Sequence, residues 1–252
     1  MSRIHQTKWR RYLRAAAGAL ATSALAEAAL IRLGQTYGSV PVERAMPLLG
    51  DNIVPDPQVV TNHAIDIDAP PDCVWPWLVQ MGWHRGGWYT AHWVDQLLFP
   101  LNWPSANRII PELQHIDVGD FIPDGAPATK CGLIVEQLER GRAMTLHSTS
   151  HLPASWRDRA SLDWSWTFVL LQLDGGRRTR FLFRSRWVTS PWWLTLAGWL
   201  GIVPADLLMS HDMLHGVKNR AEALARERSS SREPEDLDLP RRTASTGGQD
   251  RR

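Results

Sequence analysis

Cysteine is nearly missing: Cys73 and Cys131 are the only two, far apart and without a C-x-x-C pair. That excludes a disulfide framework and zinc-finger spacing, and two buried thiols are the expectation. Charge imbalance is also lacking, since 28 basic and 26 acidic side chains leave a net +2. So small an excess excludes a dedicated nucleic-acid surface. Tyrosine and phenylalanine are scarce, at 3 and 5 residues. The chain has no G-x-S-x-G elbow, Walker loop, G-x-G-x-x-G or internal repeat, and no cofactor is implied.

What is abundant is tryptophan, 14 in 252 residues that are otherwise 44% hydrophobic and 21% charged. Five of them fall between Pro70 and Asp95. An indole is costly to leave in water, so this density marks either the wall of an apolar site or a dense core.

The N-terminus, residues 1–33, is a basic segment. Five basic side chains and no acid occur before residue 15, followed by an Ala-rich stretch that Glu27 and Arg32 interrupt. Its uninterrupted run is twelve residues, against the roughly twenty a membrane span needs. Ala24-Leu25-Ala26 has the form of a signal-peptidase site, and a basic membrane-surface helix fits equally. Export, a membrane anchor and a plain cytoplasmic helix all stay open. Residues 34–61, rich in proline and glycine, read as a connecting arm that wraps a domain. Residues 62–226 suit one domain with a sizeable core. Residues 227–252 have few apolar side chains and read as a disordered tail.

Within the domain, Ala64–Asp68 alternates as a half-buried strand does. Asp72 is placed to cap a helix in which Val74, Trp75, Trp77, Leu78 and Met81 share a face. A second short helix is expected over Tyr89–Phe99. Short strands follow at Val118–Pro123, Leu133–Leu138 and Ala143–His147. The clearest signal is Leu162–Leu173 and Arg178–Val188 about Asp174-Gly175-Gly176. A two-residue turn there pairs residues of opposite parity, so Trp164, Trp166 and Phe168 meet Phe181, Phe183 and Trp187 on one face. It sends Arg178, Arg180, Arg184 and Arg186 to the other face, toward water. Pro191–Val203 is apolar but too short to span a bilayer; it reads as a membrane-dipping loop or a lid. A long helix, Ala205–Arg226, carries an apolar stripe.

The segments VWPWLVQMG, RGGWY, Arg108–Leu113, Val118-Gly119-Asp120, Trp166–Leu170, Thr179–Arg184 and Met213–Glu222 resemble the SRPBCC superfamily, the START, Bet v 1 and polyketide-cyclase-like group. They are most similar to an actinobacterial-type branch, over about residues 41–226. At Met209-Ser210-His211 the chain departs from that branch, where an acidic residue after the methionine is expected. The resemblance implies an α+β helix-grip fold: a curved antiparallel sheet around a long C-terminal helix, with two short helices after the first strand. It further implies a cavity for an apolar small molecule or lipid, and no particular reaction.

Three functions are therefore weighed. One is binding of a hydrophobic small molecule, with Arg85, Trp88, Tyr89 and Trp93 on one wall, Trp166, Phe168 and Phe183 on the sheet wall, and Met209 and Met213 from the long helix. Another is a cyclase or dehydratase using the same cavity, with His84 or Asp95 as base and Arg85 or Tyr89 as donor. The last is a membrane-surface protein that engages lipid through the basic N-terminus, Trp192, Trp193 and Trp199. Arg85-Gly86-Gly87-Trp88-Tyr89 fits a pocket rim and a tight helix–helix turn about equally. His211 and His215 stand four apart without a recognisable third ligand, so no metal is implied.

Overall fold

The computed structural model describes residues 3–91, 93–94, 97 and 101–231, with side chains from residue 12 onward. A helix, α1 (Arg3–Thr36), leads into a short helix α2 (Pro41–Ala45) and then strand β1 (Val59–Ile67). Helix α3 (Pro71–Val79) follows. Five further strands come next: β2 (Phe121–Pro123), β3 (Gly132–Glu139), β4 (Ala143–Ser148), β5 (Ser161–Leu173) and β6 (Arg178–Ser190). Helix α4 (Trp192–Ala197) runs through a π-helical turn, Gly198–Ile202, into the long α5 (Val203–Ser230). The strands form one six-stranded antiparallel sheet, ordered β1-β6-β5-β4-β3-β2. A register shift between Val135 and Gln137 bends it, as an extra residue in one strand does. The curved sheet holds α5 against its concave face, which is the helix-grip architecture.

Parity decides what that concave face carries. The β5–β6 register pairs Phe168 with Phe183, Trp166 with Ser185 and Trp164 with Trp187. The connection is four residues, Asp174–Arg177, instead of the expected two. An even number of loop residues preserves the parity, so the aromatic faces coincide as expected. Phe168 and Phe183 stack at 5.1 Å, and Trp166 meets Phe183 edge-on at 5.4 Å. From α5, Met209, Met213, Leu214, Val217 and Ala221 complete this core with Val74, Trp77 and Leu78 of α3.

The outer face is where expectation fails. Arg184 is only 3% exposed, and the arm covers it. Its guanidinium donates to the carboxylate of Asp51 at 2.6 Å, to Asn62 Oδ1 at 2.7 Å and to the carbonyls of Glu43 and Met46. Arg180 pairs with Glu43 at 2.7 Å, and Arg186 donates to the carbonyls of Val54 and Pro55. The arm carries few regular hydrogen bonds of its own, and the arginine row satisfies its carbonyls. Met46, Leu48 and Leu49 pack on Val169 and Leu182 beside it. Arg178 alone keeps to the rim, paired with Asp66, Asp68 and Asp174.

Other local differences are smaller. Pro70, not Asp72, occupies the N-cap of α3, and Asp72 sits in the first turn facing Arg228. The expected helix over Tyr89–Phe99 does not begin at Tyr89, whose φ is +61°; Trp93, Val94 and Leu97 are helical, and the rest of that helix lies largely outside the described residues. Of the expected tail, 227–230 continue α5, and 232–252 lie outside the described residues. Cys73 is buried, and Cys131 is half-exposed beside His151.

Candidate functional site

The sequence-predicted wall residues converge, but on one another. Trp88, Tyr89, Trp166, Phe168, Phe183 and Met213 are all at most 2% exposed and belong to one core cluster, with Met209 at its edge. Trp88 meets Trp166 edge-on at 5.5 Å. Tyr89 donates its hydroxyl to the carbonyl of Trp77 at 2.8 Å, and Arg220 lies 4.8 Å over its ring. Burial raises the proton affinity of that phenol well above the ordinary tyrosine range. The Tyr89 backbone passes so close to α5 that a Cβ at Gly216 would meet the Tyr89 carbonyl oxygen at 1.9 Å. RGGWY is thus a wedge between α3 and α5.

Arg85 likewise works locally. Its guanidinium donates to the carbonyls of Met81 and Val79 at 2.9 and 3.0 Å, closing the end of α3. Burial lowers its proton affinity, opposed by Asp120. His84 is exposed, stacked between Trp83 at 5.0 Å and Trp103 at 4.2 Å. Beside it lies a hollow of about 380 Å³, walled by Phe121 and the Gly125–Lys130 loop. Trp93 is 58% exposed and stands away from the core. Asp95 lies outside the described residues.

A more specific pocket, about 200 Å³, opens where β5 starts and β6 ends. Leu162, Trp164, Ser185, Trp187 and Thr189 form its sheet wall. His151 and Leu152 close it from the loop after β4, Leu194 and Ile202 from the α4–π segment, and Asp206 from the first turn of α5. Each wall is fixed. Trp164 donates its indole N–H to Ser185 Oγ at 2.7 Å. Thr189 and Thr195 share a hydrogen bond at 2.7 Å, and both reach Gln58, tying α4 to β6. A Cβ at Gly198 would meet the Trp187 ring at 2.4 Å, so only glycine lets the π turn lie on that indole.

Two titratable groups face this pocket. His151 joins a buried relay: its Nε2 lies 2.8 Å from Asp124 and its Nδ1 2.7 Å from Ser148 Oγ. Burial opposes its charge, but Asp124 and Cys131 outweigh that and push it up to about 9. A Ser–His–Asp set of this kind suggests nucleophilic catalysis. The protonation argues otherwise, since an imidazolium with both nitrogens engaged cannot take a proton from Ser148. Ser148 is 4% exposed and also bonded to Ser150. The relay pins the loop, and His151 supports Trp164 edge-on at 4.6 Å.

Asp206 is different. Burial pushes its carboxyl up, with His63 and the hydroxyl of Ser210 acting against that. No ion pair reaches it among the described residues. With His151, Ser185 and Thr189 it is one of a few polar side chains set among indoles and aliphatic side chains, the mixture small-molecule sites use. Sequence reasoning missed it, along with Trp164 and Trp187 as wall residues. Its signal was present, because Asp206, Met209 and Met213 share the i, i+3, i+7 stripe, and an acid there interrupts an apolar face. His211 and His215 stack at 4.2 Å beside Tyr37, and the described residues hold no cluster of three or more metal-ligating side chains.

No protein-family model and no curated protein matches the chain. Solved structures do. Protein MLL2253 from Mesorhizobium loti is 15% identical, covering 64% of this chain and 98% of its own, with a TM-score of 0.36. The hypothetical protein jhp0584 from Helicobacter pylori is 11% identical over 70% of this chain and 96% of its own, with a TM-score of 0.41. Truncated norcoclaurine synthase from Thalictrum flavum is 13% identical over 62% and 91%, with a TM-score of 0.35. At this identity the likeness is one of chain course alone.

Proposed function

We propose that the protein binds a small, largely apolar molecule at the open end of the grip, between Trp164 and Trp187 on the sheet and Asp206 on α5. The observation that carries this is the pocket itself, about 200 Å³, whose aromatic and aliphatic walls hold one carboxyl, one imidazole and the hydroxyls of Ser185 and Thr189. An apolar cavity of about 150 Å³ already accepts benzene, so the size suits a one- or two-ring molecule or the end of an acyl chain. Asp206, its proton affinity raised by burial, suits a hydroxyl, carbonyl or amine at one end of the ligand. The resemblance of the sequence to the SRPBCC superfamily supports the same reading. The predicted residues Trp88, Trp166, Phe168 and Phe183 then act behind the pocket, as the packed floor that holds Trp164 in place.

Native mass spectrometry of the full chain tests this: a bound small molecule is expected in the wild type and absent from Leu194→Trp, which fills the pocket. Equal occupancy in both would contradict it. A catalytic version of the reading assigns Asp206 as the acid–base group, because the nitrogens of His151 are already engaged. A cyclase- or dehydratase-like activity would then lose turnover in Asp206→Asn while ligand affinity changes less.

A further inference from the structure

The C-terminal end of α1 packs alongside the start of α5. A Cβ at Gly34 would meet the Val203 carbonyl at 2.7 Å, Ile31 packs against the cluster of Val59, Trp187 and Val203, and Tyr37 reaches His211. Successive contacts advance along both helices together, so the two run parallel. The earlier part of α1 therefore extends past the N-terminus of α5, beyond the end of the molecule that carries the pocket. There it is unpartnered. Among the described residues, Tyr12–Thr36 is one of two stretches long and apolar enough to cross a bilayer, and none of its most apolar window is buried. The other, Trp192–Ser230, contains the helix gripped by the sheet.

A second apolar surface lies beside it. Trp192 is 73% exposed, Leu200 51% and Ile202 54%, and soluble proteins rarely leave such residues contiguous without a use. This segment comes up to α1 where Ile31 and Trp199 pack against the same cluster of Val59, Trp187 and Val203, next to the Gly34–Val203 approach. Leu194 and Ile202 belong to it and also line the pocket. The occupant follows from chemistry. The first fourteen residues carry five basic side chains and no acid, which suits anionic headgroups, and tryptophan favours the headgroup level of a bilayer. Crossing is disfavoured: the run between Arg14 and Glu27 spans about 18 Å at about 1.5 Å per residue, against about 30 Å of hydrocarbon.

We infer that an anionic bilayer surface docks on the exposed part of α1 together with Trp192–Ile202, with α1 lying in the interface and the pocket facing the lipid. An apolar ligand would then pass between bilayer and pocket without crossing water. The docking surface stands on its own observations; the orientation of the pocket rests on the binding function proposed above.

Vesicle co-sedimentation of the full chain tests it, with phosphatidylcholine alone and with 3:1 phosphatidylcholine to phosphatidylglycerol. The wild type is expected to sediment with the anionic vesicles and to be released in large part by 0.5 M salt. The Trp192→Asp, Leu200→Asp variant, altered only at exposed positions, is expected to lose at least tenfold in partitioning at an unchanged Tm. A wild type that stays in the supernatant with both vesicle types, or a double variant that sediments equally, would overturn the docking surface. Failure of pocket binding in vesicle-free solution, with partitioning intact, would instead contradict the binding function and leave the docking surface standing.

Discussion

Asp206 places a carboxyl among tryptophan and aliphatic side chains, and its folded-state proton affinity is raised by burial. A carboxyl shifted upward is best tolerated when protonated, and its contribution to stability falls as pH rises through its folded pKa. Removing the charge should therefore help the fold while harming the site. Asp206→Asn is expected to raise Tm at pH 7 by a few degrees and to weaken ligand binding, the trade-off typical of functional groups. A lower Tm by calorimetry would show the carboxylate to be structurally satisfied. His151 has the opposite sense of charge. Its pKa stands at about 9 against an ordinary 6.5, so its stabilisation is complete below pH 6.5 and is lost as pH rises through 9. The shift corresponds to about 3 kcal/mol, trimmed by the burial of Asp124. Urea unfolding at pH 6.5 and 9.5 should show that loss in the wild type and a flatter profile in His151→Gln. Asp206 left only a faint mark in the sequence, an acid interrupting the apolar stripe of Met209 and Met213, and the role of His151 left none, because Asp124 is remote from it along the chain.

Between elements, alternation in β5 and β6 made the aromatic face readable, because any even-length loop gives the same pairing. What it hid was the other face. Alternation says that Arg180, Arg184 and Arg186 point away from the core, and nothing in it says that an arm returns to cover them. Arg184→Leu is expected to cost about 3–5 kcal/mol, the scale for breaking a buried ion pair, because Asp51 and several arm carbonyls lose their donor. A change under 1 kcal/mol by chemical denaturation would show the arm to be loosely held. The RGGWY wedge makes a sharper demand. Gly216→Ala would drive a Cβ into the Tyr89 carbonyl, and a cost of about 1–3 kcal/mol or more is expected from such overpacking. In the sequence, glycine and aromatics together had fitted a rim as well as a turn. The α5 contact separates the two readings.

Across the whole molecule, the sheet and α5 close tightly around aromatics at the α3 end and part at the other, where α4 and the end of α1 meet. The fold class was legible from the strands and the final helix together with the SRPBCC resemblance. The position of the opening was not, since tryptophans that fill a core and tryptophans that line a pocket look alike in a sequence. The account's central claim is that the opening at Trp164 and Trp187 is the binding site. Nitrogen-15 indole spectra of the full chain, titrated with 2-naphthol as a two-ring probe bearing a hydroxyl, test this most directly. The prediction is that the Trp164 and Trp187 indole signals shift in a saturable way, those of Trp77 and Trp88 stay in place, and Asp206→Asn weakens the effect. Shifts confined to Trp83 and Trp103, or saturable shifts unaffected by filling the pocket with Leu194→Trp, would contradict it.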